Sequence, residues 1–185
     1  MIMSLFRKKA DTAQVRALYG AIVAQSRQPL FYAQWEVPDT VTGRFDMISL
    51  HLCLVFRRLK SREETSKIFS QALFDMFFVD MDRSLREMGA GDMAVPKRIK
   101  EMGELFYGML GSIDAALANN DHDAICATLS RNVFDANEPN SLDRFAFYVI
   151  AQADNLNRTE IDDILAGKID LDLDFDAIAP VDTPQ

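Results

Sequence analysis

The chain has 185 residues, 49% of them apolar and 26% charged, with 13 Phe, 4 Tyr and 1 Trp, a composition that excludes an intrinsically disordered chain, while 8 Gly and 6 Pro are too few for a fibrous or loop-dominated one. Twenty Lys and Arg stand against 28 Asp and Glu, a net charge of −8, and 2 Cys cannot make a disulfide scaffold. The longest apolar run, 145–151, is far short of the roughly 20 residues that a membrane-spanning helix needs.

No secretory signal is recognisable at the N-terminus, so a reducing, cytoplasmic setting is expected. The charge is polarised along the chain: residues 1–110 hold 16 basic and 13 acidic side chains, residues 111–157 hold 2 and 7, and residues 158–185 hold 2 and 8. A basic face toward a negative partner is compatible with that split. DNA is not, because the whole chain would be repelled and no base-reading motif occurs.

Met1–Ala10, with Arg7, Lys8 and Lys9, reads as a frayed end, and residues 1–11 as a flexible stretch. Val15, Leu18, Tyr19, Ile22 and Val23 predict a helix over Thr12–Gln25. Pro29 and Pro38 bracket the aromatic stretch Leu30–Trp35, a short helix or packed loop. Val37–Gly43 reads as turn, and the spacing of Phe45, Ile48, Leu52, Val55, Phe56 and Leu59 predicts a helix from Arg44. Ser61-Arg62-Glu63-Glu64 has the capping-box pattern, so the next helix starts there and runs to Met88 before Gly89. Its middle, Leu73–Met81, is apolar nearly all round, which predicts a place at the centre of the fold.

Pro96 suits a first helical position, followed by an apolar face from Ile99 to Leu117. Asp121 caps a helix through Val133, Leu142–Leu156 predicts another, and a short helix from Thr159 ends at Gly167. The expected architecture is all-α: one domain over 12–167 with about seven helices, then an acidic tail over 168–185 pinned by Leu171, Leu173 and Phe175. That tail begins like a calcium loop, Asp170–Asp176, but Phe175 stands where such a loop needs Gly and Val181 where it needs Glu.

Few residues carry chemistry. His51 and Cys53 are two apart on a predicted helix, about 200° round its axis, and cannot share an ion. His122 and Cys126 are four apart and could, but two ligands close no zinc site. No metal, no other cofactor and no metal dependence of folding are therefore expected. Asp75, Asp80, Asp82, Asp162 and Asp163 invite comparison with all-α diphosphate enzymes, yet no DDxxD motif occurs and Asp82/Arg86 and Arg83/Glu87 fit ordinary ion pairing. No nucleophile elbow, P-loop or GxGxxG is present. The residues point away from an enzyme and toward a binding protein; a helical adaptor or regulator of another protein partner and, third, a small diphosphate enzyme are the alternatives.

Two stretches carry a resemblance. The first is Val37-Pro38-Asp39-Thr40-Val41-Thr42-Gly43-Arg44-Phe45-Asp46 with Leu50-His51-Leu52 and Arg57-Arg58-Leu59. The second is Leu73-Phe74-Asp75-Met76-Phe77-Phe78-Val79-Asp80-Met81-Asp82 with Leu85–Gly89, Gly91-Asp92, Val95-Pro96-Lys97, Met102-Gly103-Glu104 and Phe106-Tyr107-Gly108. Over about residues 30–120 they resemble the ubiquinol–cytochrome c chaperone family, whose members help to assemble the cytochrome bc1 complex; outside that span the likeness fades. The resemblance implies a non-enzymatic chaperone of newly made cytochrome b in the short bacterial form, without the targeting and anchoring segments of mitochondrial relatives. A small partner protein and the ribosome exit region are further partners in mitochondria. Peripheral contact with the inner membrane surface, through the basic N-terminal end and the basic matched region, is expected as well. The expected partner-binding residues are Trp35, Asp39, Arg44, Phe45, Arg57, Arg58, Arg86, Asp92, Lys97, Arg98 and Lys100.

Overall fold

The computed structural model describes residues 10–60 and 63–173, and among them every regular element is an α-helix. These are α1 (Thr12–Ser26), α2 (Pro29–Ala33), α3 (Val41–Leu59), α4 (Glu64–Glu87), α5 (Val95–Ala118), α6 (His122–Val133), α7 (Leu142–Arg158) and α8 (Ile161–Leu165). Residues 1–9 of the expected frayed end, Ser61 and Arg62 of the capping box, and Phe175 lie outside the described residues, while Asp11 caps α1. The N-cap of α4 is Glu63, which makes no side-chain capping bond.

The helix at the centre is α3, not α4. Thirteen residues of α3 are buried, with Phe45 to Val55 enclosed on every side, and it touches α1, α4, α5, α6 and α7. In α4 only Ser66, Phe69, Leu73, Phe77, Met81 and Leu85 are buried, one stripe at three- and four-residue spacing. The difference lies in the polar residues. Asp75, Asp80, Asp82 and Arg83 recur along α4 and need water, so each turn turns one face outward; Val79 is 70% exposed. From Phe45 to Val55, α3 carries only Asp46, Ser49 and His51, too few polar groups to turn a face of the helix toward water.

Helix α3 also begins three residues earlier than the hydrophobic spacing predicts. The Thr40 hydroxyl accepts the Gly43 N–H at 3.0 Å, so the turn-like Val41-Thr42-Gly43 is the capped first turn. Asp121 caps α6 as expected, its side chain accepting from the Ala124 N–H at 2.9 Å. Pro96 is the second residue of α5. Beyond α8, Leu171 enters the core, and Gln152 and Asn155 donate to the Leu171 and Asp170 carbonyls, which ties the start of the acidic tail to α7.

Candidate functional site

The first matched stretch is architectural. Trp35 is 1% exposed, its ring edge-on to Phe31 at 5.3 Å and beside Tyr148 at 5.5 Å, with the Arg144 guanidinium 5.8 Å from its centroid. Phe45 is 3% exposed and stacks on Phe77 at 5.4 Å. Both were expected on the binding surface; both are instead buried anchors of α2 and α3. A Cβ on Gly43 would collide with the Pro38 carbonyl oxygen, which explains the glycine beside that proline. Asp39 and Arg44 remain outside, paired at 2.8 Å across the entry to α3.

Two further expected contacts are also spent inside the molecule. Arg58 donates to the Leu156 carbonyl at 2.9 Å and to the Thr159 carbonyl at 2.7 Å, satisfying the C-terminal end of α7. Arg57 pairs with Asp114 of α5 at 3.4 Å, and Lys60 reaches the same carboxylate at 2.7 Å.

The second matched stretch builds a helical hairpin, α4–α5. Phe74 and Phe78 of α4 lock onto Phe106 and Tyr107 of α5 through ring contacts of 5.6–6.3 Å. Toward the tip, Leu85 and Val95 are buried but stand apart from the main core cluster. Gly89 closes α4 at φ +84°, and the Ala90 N–H returns to the Leu85 carbonyl at 3.0 Å. Arg86 staples the turn, donating to Asp82 at 2.7 Å and Asp92 at 2.5 Å; its guanidinium holds the Asp82 carboxyl below the usual range.

What this tip presents is unusual for a surface. Met88 and Met93 are exposed, Met93 at 94%, with Val79, Leu105 and Tyr107 exposed along the arms. Lys97, Arg98 and Lys100 are exposed on the first two turns of α5, which has no acidic residue in its first turn. Cations at the positive end of a helix dipole work against stability. Among the described residues, the long i,i+4 contacts Lys97–Glu101 at 3.8 Å and Lys100–Glu104 at 3.7 Å offset them in part.

Sequence reasoning missed an open groove of about 410 Å³ between α3, α4 and α5, walled by Phe56, Phe74, Phe106, Tyr107 and Leu110 and rimmed by Lys60 and Lys67. Its residues come from three helices, and no local pattern marks them. Elsewhere the chemistry is sparse. His51 and Cys53 are buried and diverge, the imidazole into a polar network and the thiol toward the Phe106 carbonyl. Asp80 accepts the Tyr19 hydroxyl at 2.9 Å and pairs with Arg83, and Asp75 accepts from Gln71 at 2.7 Å, so the α4 carboxylates have partners of their own. His122 and Cys126, which the sequence pairs alone, are joined by Asp143 of α7.

An all-helical body with an apolar, basic hairpin tip belongs to the class of protein-binding helical modules. The chain is a member of the ubiquinol-cytochrome C chaperone family, whose model matches residues 33–172. The match therefore runs past the expected span, through α6 and α7, and the family is one of chaperones, not enzymes. The chain is similar to the crystal structure of the Cbp3 homolog from Brucella abortus, with 41% identity and a TM-score of 0.82 over 95% of this chain and 98% of that one. It is also similar to ubiquinol-cytochrome c reductase complex assembly factor 1 of Mus musculus, 24% identical over 80% of this chain and 50% of the relative, and to the Xenopus laevis protein, 22% identical over 80% and 74%. The chain thus spans half the length of the mouse relative. No described helix is long and apolar enough to cross a membrane.

Proposed function

We propose that this chain is a non-enzymatic assembly chaperone that binds newly made cytochrome b during biogenesis of the cytochrome bc1 complex. The observation that supports the reading best is the α4–α5 tip, where exposed Met88 and Met93 stand beside Lys97, Arg98 and Lys100. Methionine offers a soft surface that moulds to varied apolar segments, and the cations suit the acidic loops or anionic headgroups around an emerging membrane helix. Family membership and the role of the relatives in assembling this complex support the same client class. Asp39 and Arg44, with Arg86 and Asp92 shaping the tip, complete the proposed surface, and peripheral membrane contact through the same basic region is part of the proposal.

The decisive experiment deletes the gene and measures bc1 content, then captures newly made cytochrome b from gently solubilised membranes with the tagged chain. Loss of the complex together with capture of cytochrome b is the expected result. Normal complex and normal cytochrome b in the deletion would overturn the reading in favour of an adaptor for some other protein.

A further inference from the structure

We propose that His122, Cys126 and Asp143 form a zinc-binding site that clasps the start of α6 to the start of α7. His122 and Cys126 stand one helical turn apart and leave the same face of α6. Over that face α7 brings Asp143, its second residue. The Cys126 sulfur lies 3.7 Å from His122 Nδ1 and 3.7 Å from Asp143 Oδ1, while His122 Nε2 lies 3.9 Å from Asp143 Oδ1. One ring nitrogen, the sulfur and one carboxylate oxygen all fall within 4.8 Å of one another. Zinc bonds of about 2.0–2.3 Å draw tetrahedral donors to about 3.5 Å apart, so small side-chain rotations complete the coordination.

The donor types favour this ion. An imidazole, a thiolate and a carboxylate together suit zinc, whereas magnesium and calcium prefer oxygen alone. Two further observations point to a cation. His122 Nε2 is shielded from solvent yet has no hydrogen-bond partner, a state that imidazole nitrogens seldom keep. A second carboxylate, Asp123 Oδ1, lies 3.9 Å from Nδ1, so acidic groups crowd one ring and one thiol.

The same three residue types also compose nucleophilic thiol sites, and that reading is the weaker. A working nucleophile is a thiolate favoured by nearby cations; here Asp143 stands 3.7 Å from the sulfur and Asp123 3.9 Å from the adjoining ring, so two carboxylates penalise a free thiolate. A divalent cation bound to the sulfur reverses that penalty and displaces the proton. With three protein donors and Asp143 on the outside, the fourth position faces solvent, which makes an exchangeable clasp outside the main core.

Cobalt(II) is the probe, titrated into the untagged, reduced, metal-stripped full chain. A thiolate-to-cobalt band in the near ultraviolet and the visible bands of tetrahedral cobalt should saturate at one ion per chain and vanish when zinc is added. Cys126→Ser should remove the near-ultraviolet band while leaving buried Cys53 in place. His122→Gln and Asp143→Asn, which keep the thiol, should each weaken cobalt binding by about tenfold or more. The proposal is overturned if stoichiometric cobalt gives no thiolate band, if the band survives Cys126→Ser, or if both other variants bind like the parent.

Discussion

The Tyr148 hydroxyl meets His51 Nε2 at 2.6 Å in the middle of the core, joining α7 to α3. The direction of this bond follows from its neighbours. Gln25 and Gln152 each donate an amide N–H to the same hydroxyl at 3.1 Å, so its one proton goes to His51. His51 Nε2 is then the acceptor, and Nδ1 carries the hydrogen donated to the Met47 carbonyl at 2.7 Å. The ring is held neutral, its pKa pushed down to about 4 by burial.

Tyr148→Phe leaves His51, Gln25 and Gln152 without that partner and should cost about 2–3 kcal/mol. Urea unfolding can be followed through Trp35, the one tryptophan, whose ring lies 5.5 Å from Tyr148. Because the folded pKa of His51 is below the unfolded 6.5, its neutral ring contributes fully above pH 6.5, and that contribution fades as pH falls toward 4. His51→Gln should flatten this part of the pH profile; an unchanged slope would show that other groups set it.

Asp46 titrates in the opposite sense. Burial, and then Asp135, raise its carboxyl to about 7, so the fold favours the protonated acid and loses stability as pH rises from 3.8 through 7. Asp46→Asn keeps the neutral form at every pH. It should match the parent near pH 4 and exceed it at pH 8 by as much as about 4 kcal/mol. An equal difference at both pH values would count against the buried acid.

Arg58 tests the separation of architecture from binding. Its bonds to the Leu156 and Thr159 carbonyls are charge-assisted and partly buried. Arg58→Ala should therefore lower stability by about 2 kcal/mol while leaving client capture per folded molecule unchanged. Reduced capture at full stability would return Arg58 to the binding surface.

Much of the helical fold was legible because burial repeats along a helix: α1, α6 and α7 fall within two residues of the expected bounds, and the Asp121 cap is where its residue type places it. The start of α3 was not, because a Thr cap followed by Gly is written in the same residues as a turn. The placement of α4 failed because a long apolar run suggested a centre, whereas the interleaved aspartates decide the exposed face. Trp35 and Phe45 were misplaced for a related reason: a motif marks residues under constraint, and packing constrains as strongly as binding. Asp143 could not be paired with His122 from spacing, since only the α6–α7 contact brings them together.

Membrane contact is tested by flotation. Each Lys or Arg near an anionic surface contributes about 1 kcal/mol, screened within a Debye length of about 10 Å at 0.1 M salt. Liposomes rich in anionic lipid should carry the protein at low ionic strength and release it at high. Equal binding at both salts would replace the electrostatic mechanism with insertion of apolar residues.

The hairpin tip makes the sharpest test of the proposed client surface. Lys97→Glu, Arg98→Glu and Lys100→Glu together place acids where the α5 dipole favours them, a gain of about 0.3–1 kcal/mol near the first turn. Against this, the long contacts of Lys97 with Glu101 and Lys100 with Glu104 are lost and become like-charge pairs, at about 0.3–0.5 kcal/mol for each lost contact and a similar amount for each repulsion. Stability should therefore fall by about 1 kcal/mol at most, and capture is measured per folded molecule, so weaker capture of cytochrome b cannot be blamed on unfolding. Met88→Ser with Met93→Ser removes the exposed apolar part alone, and neither side chain belongs to the core cluster. Both variants should fold like the parent and capture less cytochrome b, the charge reversal with a lost salt dependence and the serine pair without it. Full capture by both would move the client surface off the hairpin tip, toward the groove walled by Phe56, Phe74 and Tyr107.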